Sequence, residues 1–408
     1  MIRVGIIGAG ASGLMAGITA AKNGAEVCIY EHKDKPGKKI LATGNGRCNF
    51  TNTSQNPSFY RSDNKDFPWE VIEKFDYKKV LDFFYDLGIC TNDRNGYIYP
   101  KSDQASAVLE ALLTEAKSAG VKIITNCKIK EIKVKKKEFK LICEDNNIYR
   151  ADRVIVCAGS KASSVTGSDG SGYSLAKQFG HKIVPVLPAL VQLRCKEKFY
   201  KKVSGVRVNG KVSVEIDNKI VAEDTGEIQL TAYGISGIPV FQISRYVSIG
   251  LYNKKDVKVH INFMPDYKKE ELKEFFLDRI KRRPEKTSEE FFTGIFNKKL
   301  ASLFVSILRL ENKKAGSFDN TDIDKMVNVI SDFSTVVTET NSFDQAQVCC
   351  GGIDTREINV ETLESKIVKG LFFAGEILDV DGICGGYNLQ FAWSSGYVSG
   401  MEASKREV

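Results

Sequence analysis

Three glycines and one carboxylate near the N-terminus carry the spacing of a phosphate-binding turn. In "GIIGAGASG" the glycines are Gly8, Gly10 and Gly13, and Glu31 closes the next apolar strand eighteen positions after Gly13. Each has a mechanical reason: a tight turn, close approach of backbone to a pyrophosphate, close helix packing, and a carboxylate for ribose hydroxyls. The helix opening there, with Ala11 and Ser12 in its first turn, offers N–H groups and partial positive charge to phosphates. Dinucleotide binding is the chemistry expected of these six residues.

A second concentration follows at once. "GKKILATGNGRCNFTN" packs glycines, basic side chains and asparagines into a run that suits neither a strand nor a long helix. Gly44 and Gly46 let backbone N–H groups come near a cofactor, while Lys38, Lys39 and Arg47 offset phosphate charge and Asn49 supplies hydrogen bonds. Thr43 and Cys48 belong to the same surface. Two distant segments add to it: "RVIVCAGS", with Ala158 and Gly159, and "GLFFAGE" with the later "GGYN" turn, giving Gly375, Glu376, Gly386, Tyr387 and Asn388. For catalysis the candidates are Tyr387 and Cys48 as proton donors and Tyr387, Asn388 and Arg47 as hydrogen-bond donors to a carbonyl, against the blander readings of a ring that covers the cofactor and a packed thiol. His32, His181 and His260 are isolated in sequence, and none stands out as a catalyst.

These residues need elements to hold them. The chain has 408 residues, 42% of them hydrophobic and 27% charged, which is ordinary for a globular protein with room for two or three domains. Its net charge of +8 permits an anionic partner without demanding one. Ten cysteines show no CxxC and no paired His and Cys spacing, so no metal site is expected, and a reduced cytoplasmic protein follows most simply. Two uncharged stretches, 4–21 and 382–401, are too rich in glycine and polar side chains to read as a signal peptide or a membrane span.

The opening reads as strand, glycine turn, small-residue helix and strand, half of a βαβ nucleotide-binding unit. Helical spacing follows in "PWEVIEKFDYKKVLDFFYDLGI" and in "SDQASAVLEALLTEAKSAG", the latter expected to be capped by Ser102. From Val121 to Ser160 the pattern alternates like a strand meander, and the lysines of "KIKEIKVKKKEFK" give it one solvated face. The region 184–260 is β-rich and 267–310 turns helical. The tail returns to strand, glycine loop and helix, so both ends build one discontinuous nucleotide domain. The expected division is 1–187 with 345–408 for that domain, 188–262 with about 325–344 for a β-rich, barrel-like domain, and 263–324 for a helical domain.

The "GLFFAGE" segment resembles the second FAD fingerprint of glutathione-reductase-type flavoproteins, in which an acidic residue, here Glu376, holds the ribityl chain. The whole chain resembles the BaiN/RdsA-type FAD-dependent oxidoreductases, most specifically in "GKKILATGNGRCNFTN", "GYIYPKSDQASAVLEAL", "LPALVQL", "GISGIPVFQIS" and "AGEILDVDGICGGYNLQFAWSSG". It departs where relatives carry Phe-Thr-His, here Leu230, Thr231 and Ala232, and where they have tryptophan at Phe391. The resemblance implies an α/β fold: a Rossmann-like FAD domain with inserted barrel-like and helical domains.

It also implies a reductase that passes hydride from NADH or NADPH through FAD to a C=C conjugated to a carbonyl. In the family the acceptors are 3-oxo bile-acid dienes or, in other members, uridine of ribosomal RNA, and both reductions add hydride and proton across the same kind of bond. A small-molecule enone is the expected substrate. An RNA partner, motivated by "KEKFYKK" and "RIKRRPEK", is the alternative, and a flavin-binding protein without dedicated turnover is the third. No second GxGxxG follows a strand, so no separate nicotinamide domain is visible.

Overall fold

The computed structural model describes residues 1–136 and 138–406. It divides into two compact units, Met1–Leu187 with Gln347–Val408, and Pro188–Ala346.

The first unit is built on a five-stranded parallel sheet in the order Leu371–Phe373, Arg153–Val156, Arg3–Ile7, Glu26–Tyr30, Lys122–Ile124. Parallel strands covered on both faces must be apolar almost throughout, which is why "VGII" and "VIV" read as unbroken runs. Val4 and Ile6 enter the core on one face with Leu14 and Trp393, while Ile7, Val154 and Val156 enter the core on the other. The first helix, Ala11–Lys22, and the last, Tyr387–Ser404, lie against each other. Small residues permit this: a Cβ on Gly396 would stand 2.5 Å from the Ser12 carbonyl oxygen, and one on Gly400 2.5 Å from that of Ala16.

The expected meander is split. Lys122–Ile124 and Arg153–Val156 join the parallel sheet, and only Ile129–Lys135, Glu138–Cys143 and Ile148–Ala151 form the antiparallel ribbon. Lys137 of the lysine run lies outside the described residues. Within that ribbon the expectation of ten reduced thiols is corrected. Cys127 and Cys143 are joined as a disulfide, because the Glu144 N–H to Lys128 C=O bond holds the two stretches side by side, with Cα atoms 6.2 Å apart. The cap expected at Ser102 is also corrected. The helix is Ala105–Ser118 with Gln104 at its N-cap, because Asp103 takes a left-handed φ of 54° that a helix cannot include.

The second unit contains a closed antiparallel barrel in the order Leu193–Cys195, Gly234–Ser236, Lys219–Thr231, Arg207–Ile216, Val257–Asn262, Phe333–Thr340, closing back on the first. Closure leaves no strand edge unpaired. The helices Ile238–Tyr252, Lys269–Arg282, Lys298–Leu308 and Asn320–Ser331 share one core with the barrel, through Val259, Ile261, Phe263, Phe304 and Phe333, so barrel and helices form a single unit. The final barrel strand starts at Phe333, and the stretch from 325 to 331 expected to be β-rich is helical. No helix among the described residues is long and apolar enough to cross a membrane.

Candidate functional site

The glycine turn is built as its spacing requires. Gly8 has φ +101°, and a Cβ there would stand 2.5 Å from the Cys157 carbonyl oxygen, so the strand that ends before Ala158 presses directly on the turn. A Cβ on Gly13 would meet the Gly8 oxygen at 1.9 Å, whereas one on Gly10 would meet nothing within 4 Å. The helix therefore sits hard against the strand and leaves open space beside Gly10. Gly10 caps the helix with no side chain, and the first intrahelical bond is Leu14 N–H to Gly10 C=O at 2.9 Å. The N–H groups of Ala11, Ser12 and Gly13 are thus left by the helix for a phosphate.

Glu31 has a task in the chain itself. It is buried at 7% exposure, accepts from Ala9 N–H at 2.8 Å and from Lys33 N–H at 2.8 Å, and so fixes the glycine turn. His32 Nδ1 also lies 3.4 Å from Oε1, while Oε2 keeps a second lone pair suited to a ribose hydroxyl.

The loop after Gly37 is pinned at its ends. Gly37 N–H donates to Ala9 C=O at 2.8 Å, and Trp393 Nε1–H donates to Phe50 C=O at 2.9 Å. Between them Gly44 and Asn45 take left-handed conformations, Thr43 Oγ1–H bonds Ile40 C=O at 2.6 Å, and Arg47 Nε–H bonds Gly44 C=O at 3.3 Å. Gly46 is at the exposed tip. Cys48 turns inward with φ 59°, fully buried, and burial pushes its thiol up to about 12. Asn49 Oδ1 is shielded and has no hydrogen-bond partner, 2.9 Å from where a Cβ on Gly386 would stand. An orphaned acceptor in a cradle that a side chain would fill fits a ligand bearing N–H groups.

Lys38 and Lys39, read from sequence as phosphate partners, already face carboxylates. Lys38 lies four residues after Asp34, at the start of the short helix Lys38–Ala42, and pairs with it. Lys39 Nζ is 2.6 Å from Glu376 Oε2, while Glu376 Oε1 accepts from Cys349 N–H at 3.0 Å.

At the far end Gly375 has φ +78°, and a Cβ there would stand 2.4 Å from Ser12 Oγ, which brings the second fingerprint onto the first helix. Gly159 has φ +69° beside Ser168. Gly386, at φ +95°, caps the last helix without a side chain. Asn388 accepts from Gly382 N–H at 2.8 Å and donates to Gly382 C=O at 3.0 Å, so it braces its own turn rather than presenting a free amide. Tyr387 is buried, its ring packed edge-on against Phe59 and Tyr60, and its hydroxyl donates to Ser54 C=O at 3.0 Å. Burial pushes that hydroxyl up to about 12. Phe391 is in the core.

The two uncapped helix N-termini define a line. Ser12 is level with Gly396 and Ala16 with Gly400, so the helices run parallel. Tyr387 lies nine residues before Gly396, which at ~1.5 Å per residue puts the last helix's N-terminus roughly 12 Å beyond that of the first. A ligand with phosphates at one end and an electron-rich ring at the other meets two positive helix ends at that separation. The residues present fit FAD.

Sequence reasoning missed Trp393, Gln390 and Ser394. Gln390 Oε1 accepts from Thr51 Oγ1–H at 2.5 Å, its Nε2–H bonds Phe75 C=O at 3.0 Å, and Ser394 Oγ–H bonds the same carbonyl at 2.7 Å. Polar residues at 390 and 394, one turn apart and flanking the large apolar residues Phe391 and Trp393, were the available signal.

The family model described as HI0933-like protein Rossmann domain matches residues 2–402. The chain is 46% identical over 409 residues to the 3-dehydro-bile acid delta(4,6)-reductase of Clostridium scindens, covering 100% of each. It is 28% identical over 408 residues to the ribosomal RNA dihydrouridine synthase of Haemophilus influenzae, covering 98% of each, and 27% identical over 402 residues to that of Escherichia coli, covering 97% and 96%. With this match along its length and the two-fingerprint site, the chain belongs to the HI0933-like family, the BaiN/RdsA-type FAD-dependent oxidoreductases.

Proposed function

We propose that the protein reduces a C=C bond conjugated to a carbonyl, with NADH or NADPH as donor and a 3-oxo bile-acid or steroid diene as acceptor. The observation that carries this is the 46% identity along the full length of the Clostridium scindens reductase.

FAD, when bound, supplies the chemistry of accepting a hydride from a reduced nicotinamide and delivering it to an electron-poor carbon. The chain's share is binding and electrostatics. The N–H groups of Ala11, Ser12 and Gly13 hold phosphate. The uncapped N-terminus at Gly386–Tyr387 favours negative charge placed before it. Lys39 pairs with Glu376 and offsets its charge. Of the catalytic candidates, Arg47 is the partly exposed cation suited to an acceptor carbonyl. Tyr387 is held by Ser54 and Cys48 is enclosed.

The RNA reading is motivated by the dihydrouridine synthases at 28% and 27% identity. One of its two basic runs, "RIKRRPEK", is partly committed within the chain: Arg279 bonds the carbonyls of Phe291 and Thr293, Arg282 pairs with Asp278, and Arg283 with Glu285. That leaves fewer charges for phosphates and favours the small enone.

The test is a pair of half-reactions under anaerobic conditions. Protein reduced by NADH or NADPH is mixed with a 3-oxo-4,6-diene steroid or with a ribosomal RNA fragment, and the return of oxidised flavin absorbance is followed. Reoxidation by the dienone is expected. Reoxidation by RNA alone transfers the function to the second reading, and reoxidation by neither removes both.

A further inference from the structure

We propose that one face of the small sheet formed by Thr51–Asn52, Thr91–Arg94 and Tyr97–Pro100 binds the reduced pyridine dinucleotide, with Arg94 on a phosphate and the Tyr97 ring against a base. This rests on the reading that NADH or NADPH is the donor.

Register assembles the face. Asn52 stands opposite Tyr97, Tyr97 opposite Arg94, and Tyr99 opposite Asn92, so these side chains share one side, while Ile98 and Pro100 turn to the buried side. The Asn95–Gly96 hairpin, with φ 56° and 92°, fixes that register. Tyr97 is 39% exposed.

Two guanidinium groups flank Tyr99. Arg94 Cζ lies 5.1 Å from its ring centroid and Arg47 Cζ, from the glycine loop, 5.5 Å. Arg94 also pairs with Asp103, which holds its fork in place while using only part of its five N–H donors. A held guanidinium loses little entropy on taking a phosphate, and the fork matches two phosphate oxygens. An exposed aromatic ring beside it adds a stacking platform for a planar base.

The face also reaches the end of the site where a hydride donor must arrive. Asn52 Nδ2–H donates to Gly385 C=O at 3.1 Å, and a Cβ on Gly385 would stand 2.9 Å from the Tyr97 ring. The strip from Gly385 through Tyr97 and Arg94 to Tyr99 thus begins at the turn that caps the last helix. The sequence has no second glycine fingerprint for a nicotinamide cofactor, so a surface of this kind takes the role of a separate domain.

FAD-loaded Arg94→Gln and Tyr97→Ala proteins test this by anaerobic titration with NADH and with NADPH, following the rate of flavin reduction. The apparent Kd of the nucleotide is expected to rise about tenfold in Arg94→Gln, with the limiting rate within a factor of about two. A rise confined to NADPH assigns Arg94 to the 2′-phosphate, and a rise for both assigns it to the pyrophosphate. Either supports the proposal.

Unchanged Kd values in both variants overturn it. So does loss of bound FAD, which would give the face to that cofactor, and so does weakened reoxidation of dithionite-reduced flavin by the dienone, which would give it to the acceptor. If neither nucleotide reduces the wild-type protein, the proposal falls. If dithionite-reduced wild type is not reoxidised by the dienone, the acceptor reading fails while the nucleotide titration still stands.

Discussion

Gly10 and Gly13 separate cofactor binding from folding within a single turn. At Gly10 the backbone has φ −85° and ψ −165°, open to any L-residue, and an added Cβ meets no heavy atom within 4 Å. Gly10→Ala therefore costs the free chain at most the difference between glycine and alanine at an N-cap, about 1 kcal/mol. A stiffer unfolded chain returns about 0.4–1 kcal/mol, so net stability stays within roughly 1 kcal/mol and Tm within about 4 °C for a unit of this size. The new methyl fills the space beside the free N–H groups. If it removes one or two charge-assisted bonds to phosphate, at about 1.5–3 kcal/mol each, FAD binds roughly 10–100-fold more weakly or worse.

Gly13→Ala has the opposite signature. Its Cβ would stand 1.9 Å from the Gly8 carbonyl oxygen, and Gly8 cannot yield because it is itself pressed against Cys157 and Ala158. Overpacking of this kind costs about 1–3 kcal/mol or more, so the cofactor-free protein loses Tm by several degrees. Thermal unfolding of FAD-free protein and FAD titration by fluorescence quenching read the two effects separately. Wild-type FAD affinity in Gly10→Ala, or an equal loss of Tm in both variants, would refute the reasoning.

Other side chains give tests of the same kind. Cys48, buried with its thiol pushed up to about 12, should resist alkylation at pH 8 until the protein unfolds, and Cys48→Ala should keep dienone-dependent reoxidation within about twofold. Fast labelling of the folded protein at that position would contradict this. Trp393→Phe removes the N–H that satisfies the Phe50 carbonyl and should cost about 1–3 kcal/mol, read as a lower Tm. His181 is enclosed between Glu357 Oε2 at 3.1 Å and Ser365 Oγ at 2.8 Å, and burial outweighs Glu357 to lower its affinity for a proton below the ordinary 6.5. The unfolded chain then binds that proton first, so stability is full above about pH 6.5 and falls as pH drops below it. His181→Gln should flatten the Tm profile between pH 7 and 5.5, and an unchanged slope would remove His181 as its source.

What could be read in advance depended on whether a residue's task is set by its neighbours in sequence or by partners far away. Gly8, Gly10 and Gly13 act through backbone geometry inside one turn, so their spacing alone announces the turn. The parallel sheet was legible for a related reason, because strands covered on both faces must be apolar throughout. Lys39 and Glu376 were each assigned to a ligand, yet they meet one another across 337 positions, and no local pattern contains that pairing. The same holds for Gln390 and Ser394, which satisfy the Phe75 carbonyl from the other end of the chain. Ser102 failed as a cap because Arg94 takes the Asp103 carboxylate and Asp103 a left-handed turn, a choice made by a hairpin rather than by the helix. Cys48 shows the converse. Its place between Arg47 and Asn49 in a polar glycine loop suggested chemistry, but at that residue, which takes a left-handed φ, the thiol lies in the core while its two neighbours stay partly exposed. In this chain the backbone motifs mark the proposed cofactor site, and the side chains that hold those motifs rigid become visible only when the two ends of the sequence are folded together.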